Sequence, residues 1–309
     1  NGIIYHMTNK KITKKKVNAR FKTIGLALII YIFFVLYIPL LLKELFIDQE
    51  IGLIFGLSKK SILNALIVVA GTVLPFKLMD KALFGKNDKK EKIKIPFGEI
   101  FIQSLMLFTI SSVTLFLTST IFSYFGKSAD LVGGIGVVID GKIVDDIVYT
   151  LLFVLITPII EEFAFRAVLL RYLSRFGKYF ALVATSLIFA LAHSSFIEIF
   201  PAFIMSYELG KIYLRYKSAK PCIWIHGLYN LTLYILLIIP GKYSIFVAIF
   251  LALIYVASFV LFIAKKYTFI RVTKAKSTWK VFLIFFSRPE IILSVILMIV
   301  QTALTMLLA

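Results

Sequence analysis

ITPIIEEFAFRAVLLRY, residues 156–172, decides how the whole chain is read. It sets Glu161, Glu162 and Arg166 inside a run that is otherwise apolar enough for lipid. Ionisable groups at such depth are costly, so they normally face a cavity or one another. On a helix, Glu162 and Arg166 lie four residues apart and pair on one face. Glu161 is rotated about 100° from Glu162 and points elsewhere. Pro158, three residues earlier, lacks a backbone donor and opens the helix beside Glu161. A packing ion pair accounts for Glu162 and Arg166. It leaves Glu161 as a buried carboxylate without a partner, which is expensive unless the group works.

The surrounding chain reads as membrane. Its 309 residues are 60% hydrophobic, with 30 Phe, and the mean hydropathy is +0.95. A soluble domain is nearer half apolar. Candidate spans fall at 23–42, 60–76, 98–125, 147–170, 179–197, 200–214, 222–239, 243–264 and 290–308. Runs of about 20 apolar residues match the hydrocarbon thickness of a bilayer. The expectation is an all-α polytopic membrane protein with about eight to nine transmembrane helices, four of them forming a catalytic core. The organisation expected is a basic N-terminal segment at 1–22, helices with loops at 23–146, the core at 147–240 and further helices at 241–309. Met7 before a basic run reads as a start, with 1–6 as an extension, and the first span as a retained signal-anchor. A single cysteine, Cys222, excludes an internal disulfide and any CxxC metal motif.

The net charge of +19 is read as topology, not as a nucleic-acid surface. Residues 1–22 and 265–288 each hold seven Lys/Arg and no acid, and 77–96 hold seven against three acids. The short stretches 171–178 and 211–220 are also basic, whereas 126–146 carries four Asp and two Lys. Basic and non-basic connections alternate, which puts the N-terminus in the cytoplasm. The glycine-rich loop at 127–146 is expected to be an external hairpin or a flexible cover. The basic loops also suit anionic headgroups or acidic leader peptides, although topology alone accounts for them.

Two further polar groups lie in apolar runs: FALAH at 189–193 and HGLYN at 226–230. Phe189 and His193 share a face, as do His226 and Asn230. A lone membrane histidine is more often an interhelical hydrogen-bond partner. Two of them, with a spare carboxylate and an amide, suit peptide hydrolysis. A carboxylate in an apolar pocket serves as general base, and an imidazole orients the water. A second imidazole and an amide donate to an oxyanion. There is no GxSxG elbow, and Ser194 and Ser195, adjacent on the helix, diverge in direction. Cys222 stands one turn before His226, where an inert buried thiol outweighs a thiol–imidazole pair.

In order, these motifs resemble EExxxR, FxxxH and HxxxN of the CPBP intramembrane proteases, which include CAAX prenyl endopeptidases and bacteriocin-processing or immunity proteins. The match is carried by EEFAFR at 161–166, FALAH and HGLYN, and spans roughly 147–240. The resemblance implies a membrane-embedded glutamic endopeptidase. Glu161 is then the water-activating base with His193 assisting, and His226 with Asn230 the oxyanion pair. Glu162 and Arg166 support them, with Phe189 beside His193. The family is viewed as metal-independent. Glu161, His193 and His226 would also make a zinc set, so zinc stays open as the cofactor against none. The partners expected are a peptide or small membrane-protein substrate and the bilayer. The location expected is a bacterial plasma membrane, crossed several times. A non-catalytic regulator or immunity protein acting by binding is the alternative. A transporter is a poorer fit, since no repeat is visible.

Overall fold

The computed structural model describes residues 5–7, 10–12, 14–39, 41, 53–54, 57–84, 96–124, 150–238, 241–264, 272 and 278–308. The glycine-rich loop at 127–146 and most of the connection at 265–277 lie outside them. Among the described residues there are ten helices and two short antiparallel hairpins, Tyr5–Met7 with Lys10–Ile12 and Leu53–Ile54 with Leu57–Ser58.

α1 (Lys14–Ile32) runs into a π-helical turn at Phe33–Tyr37. α2 is Lys59–Leu83 and α3 is Phe97–Tyr124. α4 is composite: a π turn at Leu152–Ile156, regular helix at Thr157–Glu162, a second π segment at Phe163–Leu170 and a last turn at Arg171–Leu173. α5 is Lys178–Leu191, α6 Phe196–Tyr216 and α7 Lys220–Ile238. α8 (Ser244–Ile263), α9 (Thr278–Phe286) and α10 (Pro289–Leu308) complete the chain.

α4 and α5 form the centre. α1 and α2 pack together, with α10 against α1, and α2 lies on α4. On the other side α6 covers α5, while α3 packs on α6, α7 and α8. Close crossings fix these contacts. A Cβ at Gly25 would stand 2.5 Å from Glu290 Cβ, and one at Gly71 would stand 2.5 Å from Phe34 Cβ. Small residues permit such approach where lipid offers no hydrophobic drive between helices.

Among the described residues, four helices are long and apolar enough to cross a membrane by length and composition: Lys15–Tyr37, Phe97–Tyr124, Ile245–Ile263 and Pro289–Leu307. The sequence reading expected about eight to nine. The difference lies in length and charge. α5 has 14 residues, about 21 Å at helical rise, short of a ~30 Å hydrocarbon core. α4 and α6 carry the charged and polar groups that lower their hydropathy.

Two ion pairs tie basic residues of α4 and α6 to neighbouring helices. Arg171 forms an ion pair with Asp80 of α2, and its guanidinium lies over Phe84. Arg175 covers the other contacts of Phe84 and Tyr172. Arg215 Nη1 reaches Glu99 Oε1 of α3 at 2.8 Å. Phe21 of α1 meets Phe176 and Phe285 edge-on at 4.9 and 5.0 Å.

Candidate active site

α4 brings both glutamates to one histidine of α7. Glu162 is fully buried. Its Oε1 accepts from His226 Nδ1 at 2.9 Å, and its Oε2 lies 2.9 Å from Arg166 Nε. The arginine contact is an ion pair without hydrogen-bond alignment, and Arg166 Nη1 and Nη2 have no hydrogen-bond partner among the described residues. The guanidinium instead sits 4.5 Å over the Phe189 ring, a cation–π contact in a desolvated setting.

Glu161 Oε2 lies 3.8 Å from His226 Nε2, the ring nitrogen opposite the one that Glu162 holds. The sequence reading gave Glu161 no partner and turned it away from Glu162. Both carboxylates in fact flank one imidazole, because the ring reaches back to each of them with a different nitrogen. Glu161 keeps 21% of its side chain accessible, whereas His226 keeps 3%. A carboxylate only accepts, so Nδ1 of His226 carries the proton shared with Glu162. The same logic fixes His193. Its Nδ1 donates to the Phe189 carbonyl at 2.9 Å, which leaves Nε2 as the free nitrogen.

Phe189 sits at the centre of this cluster. Its ring centroid is 4.6 Å from His193, 6.3 Å from His226 and 5.0 Å from Phe165. Asn230 is buried, and Nδ2 donates to the Phe153 carbonyl of α4 at 2.9 Å. One N–H of its amide is therefore committed, and the second is free. Cys222 is fully buried, with Sγ on the Leu209 carbonyl at 3.3 Å. Ser194 occupies the left-handed turn between α5 and α6, at φ 55°.

One wall residue was not found from sequence. Tyr31 of α1 is buried, with its ring edge-on to Phe76 at 5.7 Å and Phe165 at 5.9 Å. Tyr31 sits in an ordinary apolar run, and no spacing singles it out from the chain's 15 tyrosines.

A zinc set would need Glu161, His193 and His226 to converge on one ion. Among the described residues no group of three His, Cys, Asp or Glu is arranged to hold a metal. His226 holds Glu162 through Nδ1 and turns Nε2 toward Glu161.

No curated protein and no solved structure matches the chain. Residues 143–232 match the family model described as Type II CAAX prenyl endopeptidase Rce1-like, a stretch containing every motif residue from Glu161 to Asn230. That stretch of the chain is similar to the Rce1-like CAAX protease family.

Proposed function

We propose that the protein is an intramembrane endopeptidase using Glu161 to activate water. The observation that carries this is the partly accessible Glu161 carboxylate beside an imidazole whose far nitrogen is held by a buried Glu162–Arg166 pair. Water between Glu161 and the scissile carbonyl gives a proton to the carboxylate as its oxygen attacks carbon. The oxyanion is met by the second N–H of Asn230 and, when the ring carries a proton on both nitrogens, by Nε2–H of His226, a charge-stabilising role that strengthens in the transition state. Glu161 returns the proton to the leaving amine, so the base ends unchanged. His193, with Nε2 free, orients the water. Glu162 holds the tautomer of His226, as a carboxylate does for an active-site imidazole. No step needs a metal in this scheme.

The substrate is a membrane-associated peptide or the tail of a small membrane protein. The substrate's approach in this reading is from the side of the basic connections, which the charge rule assigns to the cytoplasm of a plasma membrane. The cleanest test compares the membrane and secreted peptidomes of a deletion strain carrying wild type or Glu161→Gln. A processing event that needs wild type and fails with a well-expressed Glu161→Gln supports the protease. Full complementation by Glu161→Gln makes the protein a regulator or immunity factor acting by binding.

A further inference from the structure

Pro158 and Asn230 stand on different helices, yet one explains the other. In the first π turn of α4, backbone donors reach back five residues: Thr157 N–H donates to Leu152 O. The next donor in that register would be residue 158, reaching Phe153 O. Residue 158 is proline and has no N–H. The Phe153 carbonyl is left without a donor from its own helix, and a partly buried carbonyl in an apolar setting needs one. Asn230 Nδ2 supplies it at 2.9 Å, across 77 positions of sequence.

The approach is close by construction. Gly227, three residues before Asn230, faces the same opened turn, and a Cβ there would stand 3.0 Å from the Val154 carbonyl. His226, four residues before Asn230, meets both glutamates on the next turns of α4. One helix of α7 thus reads the broken backbone with Gly227 and Asn230, and the carboxylates with His226.

We propose that Asn230 is a positioning residue whose amide replaces the backbone donor that Pro158 withholds, fixing α4 open at the turn that presents Glu161 and Glu162 to His226. This rests on the catalytic reading above and extends it to the helix break that aims the base. The need is conditional. If residue 158 could donate, Phe153 would be satisfied within α4 and the amide would have nothing to replace.

The test is a double-mutant cycle on the full-length protein in detergent micelles: wild type, Asn230→Ala, Pro158→Ala and the pair. Melting is read directly, and cleavage is read with a quenched farnesylated peptide ending in a CAAX sequence. Asn230→Ala should lower Tm by about 3 °C, the size expected for one buried hydrogen bond in a protein of this length. In the Pro158→Ala background the same change should lower it by less than half as much. Cleavage should fall about tenfold in Asn230→Ala, in kcat and not KM, and partly recover in the pair. Asn230→Asp sets an acceptor against the carbonyl and should melt below Asn230→Ala. Equal Tm losses in the two backgrounds overturn the proposal whatever the peptide does. Glu161→Gln separates the two ideas: wild-type cleavage by that variant removes the catalytic reading, while the melting cycle still judges the clamp.

Discussion

α5 and α8 are both apolar helices, and they live in different solvents. Ten of the 14 residues of α5 are buried, on every side of the helix. Only 6% of the apolar window of α8 is buried, and large residues such as Ile245, Phe246 and Leu253 face outward. α8 is joined to α3 by a few polar contacts: Thr109 Oγ1 and Ser258 Oγ at 2.8 Å, and Tyr255 O–H to Ser112 Oγ at 3.2 Å. The comparison teaches that hydropathy does not distinguish protein from lipid as a neighbour. α8 is the more hydrophobic helix and the less packed one. What marks the centre is its small and polar residues, Gly210, Thr185 and Ser186, together with the charged groups of α4.

If the contrast is real, damage at the centre must exceed damage at the rim by a wide margin. The largest loss is expected from Glu162→Ala. It removes the partner of Arg166 and of His226 Nδ1 together, and should cost about 3–5 kcal/mol in a reversible detergent unfolding titration. Phe189→Ala follows, at about 3–5 kcal/mol for a buried ring that also covers the Arg166 cation. Its cleavage should fall with stability, because both histidines touch that ring. Gly210→Ala is smaller. The new Cβ meets Leu182 Cδ1 at 2.5 Å, the free end of a flexible side chain, so ~1–3 kcal/mol is expected. Ser258→Ala at the α3–α8 contact should cost about 0.6 kcal/mol, the usual value of a hydrogen bond between membrane helices. A Ser258→Ala loss as large as that of Phe189→Ala would erase the distinction.

The sequence made part of this legible and hid the rest for a physical reason. Glu162 with Arg166, Phe189 with His193 and His226 with Asn230 are spaced at one helical turn, so local geometry alone puts each pair on a face. Contacts between helices carry no such period. That His226 lies between the two glutamates, that Asn230 reaches Phe153 and that Tyr31 walls the site all depend on how α1, α4 and α7 pack. The π segments around the glutamates were signalled only by Pro158.

Arg166 has one more consequence. It is fully buried, with Phe189 across its face and Glu162 against its edge. A peptidase that measures from a free chain terminus needs a cation the terminal carboxylate can touch. This arginine's charge is spent inside the protein, on the carboxylate of Glu162 and the ring of Phe189, and is closed to a substrate's carboxylate.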